Sequence, residues 1–303
     1  MTHAMPEVMT HPVVGIDIGG TSVKALAAFA PHAERTARSD PYDSADPASL
    51  SRAISQVFAA IGAPSAPVGL CVPGAFDPVR RAVTASLNAP ALIDVAIDDL
   101  IASACAGAIP VTITTDAHAA AFDFAATTPL TGRLLAVSLG AGVGACVLDG
   151  DRPLQVCGTS SGHLGQIDVT LPEDDNAPPL APDGSAGSLE AYLGARVLAA
   201  RFGSPLPDPL PLTRNDPALR ALARALRIAH AIYRPHHIAL LGGIGLRLHS
   251  HLAALRTRID DRLTTLARPG WSLMCARDPW HAARGAARLA HKSMHAPPHN
   301  CAD

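Results

Sequence analysis

The sequence predicts an α/β fold built from two similar halves, and three observations carry that expectation. Strand-like and helix-like segments alternate along the chain. A strand–glycine turn–strand unit, VVGIDIGGTSVKAL, has a counterpart of the same physical plan, VSLGAGVGACVL, about 120 residues later. A length of 303 residues is enough to bury a large core and to divide into two domains.

Taken in order, residues 1–11 read as a flexible tail, and Val13 to Ile18 is a short apolar run rich in β-branched residues, the pattern of a buried strand. Gly19, Gly20 and Thr21 turn the chain into a second apolar run, Val23 to Phe29. Asp46-Pro47 supplies an N-cap and a first-turn proline for a helix carrying Leu50, Ile54, Val57, Phe58 and Ile61, closed by Gly62. Pro67 to Val72 reads as a strand, Ile93 to Ala106 as a helix, Val111 to Thr114 as a strand and Asp116 to Ala126 as a helix. Arg133 to Leu139 and Val143 to Leu148 flank the turn Gly140-Ala141-Gly142. Residues 171–186, rich in proline and acid, read as an exposed loop, and Gly187 to Phe202 as a helix. Asp216-Pro217 starts a helix that runs to Tyr233, and His237 to Leu241 is a strand ending in Gly242-Gly243 before a long helix. Asp278-Pro279 precedes a last helix over about His281 to His291. The expected division is 12–126 and 127–292, with the last helix able to pack back on the first domain, and a second tail over 293–303.

Composition excludes several classes of function. Charge is nearly balanced, with 24 basic against 26 acidic side chains, so no electrostatic surface for nucleic acid is implied. No apolar run reaches membrane-spanning length, and the start MTHAMPEVMT lacks the regions of a signal peptide. The six cysteines, Cys71, Cys105, Cys146, Cys157, Cys275 and Cys301, have no metal-like spacing, and buried free thiols in a reducing cytoplasm account for them.

The two glycine turns carry the first chemical suggestion. Adjacent glycines let backbone N–H groups face outward and form a small anion-binding concavity. Asp17 stands at the lip of the first turn, where an acid makes sense if a divalent cation such as Mg²⁺ joins it to phosphates. The plainer alternative is a hairpin in which Gly-Gly only turns the chain and Asp17 caps it. A Walker A loop is absent.

Asp116 lies between a strand end and a helix start, the edge of an α/β sheet where ligands bind. It can act as a general base there, or as a plain N-cap for the helix, or as both.

Together these stretches resemble the ROK family of sugar kinases and related repressors over about Val13 to Ala290. GIDIGGTSVK (15–24) is similar to the family's first phosphate motif, GLCVPGAFD (69–77) to its G-x-x-x-P-G segment, and TDAHAAA (115–121) to N-D-A-N-A-A-A. SLGAGVGACV (138–147) resembles the second phosphate motif and LLGGIG (240–245) the glycine turn of the nucleotide pocket. The resemblance implies an actin/hexokinase-like, ribonuclease H-like fold of two domains with a ligand cleft between them. It implies ATP and Mg²⁺, with Asp17, Gly19, Gly20, Thr21, Lys24, Gly140, Ala141, Gly142, Gly144, Gly242 and Gly243 on the nucleotide and its phosphates, and Asp17 reaching the metal through them. Asp116 becomes the base that deprotonates a sugar hydroxyl. Gly74, Asn88, Thr115, Asp116, His163, Gln166 and Glu190 fall on the sugar side, and the resemblance leaves room for a homodimer.

The chain also departs from the family pattern. Thr115 and His118 stand where the motif has asparagines, and in Gly162-His163-Leu164-Gly165-Gln166 the family has G-E-I-G-H, so His163 replaces a sugar-binding Glu and Gln166 a zinc-binding His. A shifted register would put His163 in the His position and Ser160 in the Glu position. GSLEAY (187–192) is similar to G-C-L-E and keeps Glu190 as an acceptor for a sugar hydroxyl, although a Glu in the first turn of a helix is also simply favoured there. Ala181, Asp183 and Ser188 replace the family's zinc cysteines, so no structural zinc is expected.

The expected activity is therefore ATP-dependent phosphorylation of a sugar hydroxyl, on glucose or, given His163, on another hexose, an aminosugar or a polyol. Alternatives are a non-catalytic sugar sensor and a polyphosphate-dependent sugar kinase. A DNA-binding repressor is not expected, because only about ten residues precede the first strand, too few for a helix-turn-helix.

Overall fold

The computed structural model describes residues 12–29, 33–63, 65–105, 109–156, 161–170 and 177–295. The expectations for the tails at 1–11 and 296–303, for Ala106, Cys157, Ser160 and Cys301, and for loop residues 171–176 fall outside those residues. The chain begins β1 (Val13–Ile18), β2 (Val23–Phe29), β3 (Ala33–Arg38), α1 (Pro47–Ile61), β4 (Val68–Val72), β5 (Ala75–Asp77), β6 (Ala82–Ala85), α2 (Ile97–Cys105), β7 (Val111–Thr115) and α3 (Asp116–Thr127). It continues β8 (Arg133–Leu139), β9 (Val143–Asp149), β10 (Arg152–Pro153), α4 (Leu189–Leu193), α5 (Ala195–Phe202) and α6 (Pro217–Tyr233). Last come β11 (His237–Leu241), α7 (Gly242–Leu246), α8 (Leu252–Asp260), β12 (Ser272–Cys275) and α9 (His281–His295).

Two compact units result, Met1–Ala126 with Trp280–Asp303, and Thr127–Pro279. Helix α9 therefore belongs to the first unit, and it runs through His295 rather than ending near His291.

The first unit holds a sheet of order β3-β2-β1-β4-β7, with β1, β4 and β7 parallel and β2 and β3 antiparallel at one edge. The second holds β10-β9-β8-β11-β12, with β8, β11 and β12 parallel and β9 and β10 antiparallel at one edge. The repeated strand–glycine turn–strand units are thus the β1-β2 and β8-β9 hairpins, each leading a sheet of the same topology.

Local chemistry explains the elements. Asp46 accepts the N–H groups of Ala48 and Ser49 at the start of α1, and Gly62 closes it in the left-handed region at φ 66°. Leu50, Ile54, Val57, Phe58 and Ile61 are buried against the β1–β4 sheet core. In the second unit the buried face of α6 joins Leu135, Val137, Leu139, Ile238 and Leu240 in one apolar cluster.

Helix α9 lies directly on the first sheet because small residues face each other there. A Cβ at Gly15 would sit 1.7 Å from the Ala283 carbonyl oxygen, and one at Gly69 would sit 1.9 Å from that of Ala286. Backbone contact at this range leaves no space for a side chain. Beside it, fully buried Asp123 of α3 accepts from His281 Nδ1 at 2.7 Å and from Arg288 Nε at 2.7 Å, and Arg284 forks onto Glu34 of β3.

Several expectations need correction. The helix expected from Ile93 starts at Ile97, because Pro90–Leu92 form a 3-10 turn and Ile93 is extended. The helix expected over 187–202 breaks at Gly194, whose backbone is extended at ψ 146°. The long helix after Gly243 stops at Leu246 and resumes at Leu252. Strand β3 carries AERTAR, exposed at nearly every position and without apolar alternation, so no periodicity announced it.

Candidate active site

In the first unit, three parallel strands lie side by side, and Asp17, Gly74, Thr115 and Asp116 stand at or just past their carboxyl ends. Asp17 is the penultimate residue of β1, paired in register with Cys71 of β4 and with Lys24 of β2. Its side chain is nearly buried, with the residue 9 % exposed, and Lys24 Nζ lies 3.5 Å from its Oδ2. Lys24 is thereby held on the carboxylate. Asp116 follows β7 directly, one strand beyond β4. The fully buried thiol of Cys71 is pushed well above its ordinary pKa by burial first, then by the charges of Asp17 and Asp116. Both carboxylates therefore act on the same spot beneath the strand ends.

Asp116 opens α3. It is the first residue of the helix, and the capping oxygen is Thr115 Oγ1, which accepts the His118 N–H at 3.3 Å. Thr115 still has its hydroxyl hydrogen to donate. His118 turns its ring to Thr114, with Nδ1 3.1 Å from Oγ1, and burial followed by the Lys292 charge lowers its pKa.

The first glycine turn is closed by Gly19 N–H donating to the Ser22 carbonyl at 3.2 Å. Gly74 lies at φ 102°, where an added Cβ would fall 2.0 Å from the Ala85 carbonyl oxygen, so the β5–β6 hairpin alone requires glycine there. Asn88 is half-buried in the loop that leaves β6.

In the second unit the same sheet edge collects the other glycines. Gly140 follows β8 and donates to the Gly142 carbonyl at 2.9 Å, and a Cβ on Gly140 would meet nothing within 4 Å. The turn is open on that side. Gly242 follows β11, the neighbour of β8, at φ 77°, and a Cβ there would lie 2.5 Å from the Leu139 carbonyl oxygen. Gly243 stands beside it, its carbonyl accepting from Arg247, while Gly144 pairs in register with Ser138.

Glu190 lies against this turn. It sits in the first turn of α4, capped by Ser188 Oγ accepting from Ala191 N–H, and it is only 6 % exposed. It is therefore no solvated helix-start residue. One carboxylate oxygen, Oε2, accepts the Val143 N–H at 3.1 Å, just past Ala141-Gly142. Ala195 at the start of α5 donates to the Gly140 carbonyl at 3.0 Å. Burial raises the Glu190 pKa from its ordinary value, with the Val143 N–H opposing it and Asp183 adding to it.

Gly165 packs on the same carboxylate, a Cβ there falling 3.3 Å from Glu190 Oε2. The segment Gly162–Gln166 is thus beside Glu190. His163 and Gln166 are both exposed, one before and one within the 3-10 turn Leu164–Gln166.

Asp183 and Ser188, two of the positions expected to replace zinc cysteines, lie in a hydrogen-bonded loop. Asp183 Oδ1 accepts from the N–H and hydroxyl of Ser185, whose Oγ also reaches Ser188 Oγ at 3.3 Å. Among the described residues, no group of three or more His, Cys, Asp or Glu side chains is placed to hold a metal ion. No helix among them is long and apolar enough to cross a membrane. Cys71, Cys105, Cys146 and Cys275 are free thiols.

Sequence reasoning missed Tyr42, whose hydroxyl donates to the Gly19 carbonyl at 2.6 Å. It lies in SDPYDSADP, a stretch with turn signals and nothing that points back to the glycines.

No curated protein matches the sequence. Solved structures do. A ROK family glucokinase from Streptomyces griseus, in complex with glucose and AMPPNP, aligns with TM-score 0.70 at 19% identity over 93% of this chain and 99% of its own. An inorganic polyphosphate/ATP-glucomannokinase from Arthrobacter sp. strain KM aligns with TM-score 0.65 at 20% identity over 94% and 100%. A ROK family transcriptional regulator, a homologue of the E. coli MLC protein, aligns with TM-score 0.69 at 17% identity over 93% and 78%. The actin/hexokinase-like fold expected from the sequence is the one these proteins share. Residues 13–293 match the ROK family model, and the chain belongs to that family.

Proposed function

We propose that the protein is a sugar kinase that transfers a phosphoryl group from ATP to a hydroxyl of a hexose or related sugar. The observation that carries this reading is Asp116: a carboxylate at the carboxyl end of a parallel strand, directly after the capping residue Thr115, with Asp17 two strands away. ATP with Mg²⁺ would supply the phosphoryl group and neutralise charge on its oxygens. The single hard carboxylate of Asp17 suits a cation held otherwise by phosphates and water.

In this reading the N–H groups around Gly19–Thr21 and Gly140–Gly142 hold phosphate oxygens, and Gly242 and Gly243 give the nucleotide close access to backbone. Glu190 accepts a sugar hydroxyl on Oε1 while Oε2 stays on Val143. Asp116 takes the proton of the attacking hydroxyl as that oxygen bonds to the γ-phosphorus and the bond to the β-phosphate oxygen breaks. His163, exposed and without the fixed acceptor charge that a Glu would offer, favours a sugar other than glucose. The ATP requirement and the free thiols fit a cytoplasmic protein.

Two other readings have a specific likeness behind them. The glucomannokinase accepts polyphosphate by its name, and the regulator shares the fold. The test is a panel of hexoses, aminosugars and polyols, each offered with ATP and with polyphosphate, with sugar phosphate detected as product. Product formation with ATP supports the proposal. Turnover with polyphosphate alone replaces the donor, and sugar binding without product under every donor overturns the kinase.

A further inference from the structure

We propose that Tyr42 is a positioning residue for the first phosphate turn, aiming the Gly20 and Ser22 amides by holding the carbonyls on their far side. This rests on the reading of Gly19–Thr21 as a phosphate-binding turn. The loop that leaves β3 is bonded at four points to the turn and to the first residue of β2. Ser39 N–H donates to the Val23 carbonyl at 2.9 Å, Val23 N–H donates to Ser39 Oγ at 3.0 Å, and Tyr42 N–H donates to the Thr21 carbonyl at 3.2 Å. The fourth is the Tyr42 hydroxyl, which donates to the Gly19 carbonyl at 2.6 Å.

The consequence follows from the planarity of the peptide unit. In a trans peptide the C=O of one residue and the N–H of the next point in opposite directions. Fixing the Gly19 carbonyl therefore fixes the Gly20 N–H, and fixing the Thr21 carbonyl fixes the Ser22 N–H. Tyr42 holds both carbonyls, one with its N–H and one with its hydroxyl, so each following amide is turned away from it. Left alone, the Gly19-Gly20 peptide has no Cβ on either side to oppose rotation, and glycine tolerates both signs of φ. The hydroxyl of Tyr42 supplies the restraint that the sequence of the turn lacks. It stays a donor across the working pH range, because burial and the Asp17 charge push its pKa to about 12.

The ring of Tyr42 packs against the apolar core of the unit, so Tyr42→Phe keeps the packing and removes only the hydroxyl. The experiment compares full-length wild type with Tyr42→Phe by ¹⁵N relaxation, by KM for ATP and for the sugar, and by Tm. The Gly20 order parameter is expected to fall from near 0.85 to below about 0.6. KM for ATP is expected to rise about two- to tenfold, the worth of one hydrogen bond, with KM for the sugar and Tm nearly unmoved. An unchanged Gly20 order parameter overturns the control of the turn. A looser turn with unchanged KM for ATP overturns its link to phosphate, and a general loss of Tm with both KM values raised shows a merely structural residue. A wild type that phosphorylates nothing overturns the kinase reading instead, and the order parameter still decides what Tyr42 does to the turn.

Discussion

Among single residues, Asp116 and Glu190 carry opposite demands. Asp116→Asn is expected to keep Tm within a degree or two, since Thr115 caps α3, and to lower kcat by several orders of magnitude, because base and orienting charge vanish together. Turnover close to wild type would rule Asp116 out as the base. Glu190→Ala should raise KM for the sugar about ten- to a hundredfold, for the ~1.5–3 kcal/mol of one charge-assisted hydrogen bond, and leave KM for ATP far less changed. Its raised pKa sets the pH dependence. Folded Glu190 holds its proton to higher pH than the unfolded side chain, so its contribution to stability is full below the ordinary Glu value of about 4.3 and is lost as pH rises through the raised one. The same titration makes sugar binding weaken on the acid side of that value. Glu190→Gln should remove the acid limb from the pH profile of KM for the sugar, and a limb that persists would assign it to another group. The placement of Asp17 and Asp116 at strand ends was legible because charged side chains are rare in stretches that are otherwise apolar, whereas Glu190 was singled out only by the resemblance of GSLEAY to the family pattern. Thr115 as a cap and Tyr42 as a brace were not, because a hydroxyl announces no partner until the fold supplies one.

Elements built on apolar period and on Asp-Pro starts were readable, as α1 and α6 show, whereas elements defined by contact were not. The exposed AERTAR strand pairs only because β2 offers an edge, and the break between α4 and α5 occurs because Gly194, after closing the last turn of α4 onto the Glu190 carbonyl, takes an extended ψ of 146° that turns the chain out of the helix. Two glycines separate fold from function at this scale. Gly69→Ala would drive a methyl to 1.9 Å from the Ala286 carbonyl oxygen and force α9 off the sheet, for a loss of about 3 kcal/mol or more, visible as a large fall in Tm. Gly140→Ala meets nothing within 4 Å and should leave Tm unchanged while raising KM for ATP, because its methyl occupies the open side of the second turn. If the two variants behave alike, the turn is not a binding surface. The loop 181–188 offers a further test, since Asp183, Ser185 and Ser188 are hydrogen-bonded there and the resemblance aligns Ala181, Asp183 and Ser188 with zinc cysteines. Elemental analysis is expected to find no stoichiometric zinc, and about one zinc per chain, lost with stability on chelation, would show the 163–188 alignment to be displaced.

At the scale of the whole molecule, the chain makes two sheets of one topology, but only one of them depends on residues from the other end of the sequence. The second unit is continuous from Thr127 to Pro279, whereas the first is complete only when α9 returns to it. That helix covers β1, β2, β4 and β7 with Ala283, Ala286, Ala287 and Ala290, all buried. It also brings His281, Arg284 and Arg288 to Asp123, a fully buried carboxylate. A chain stopped after Pro279 would expose the apolar face of the first sheet and leave Asp123 without those three partners. Loss of the partners of a buried charge alone costs about 3–5 kcal/mol, a large part of the stability of a typical domain. The truncated protein is therefore expected to lose the tertiary fold of the first unit, while residues 127–279 keep their own core. Hydrogen exchange distinguishes the cases: amides of β1, β4 and β7 should exchange freely in the truncated chain, and those of β8 and β11 should stay protected. Protection retained in β1 and β4 would mean that α9 only covers a sheet already able to stand alone.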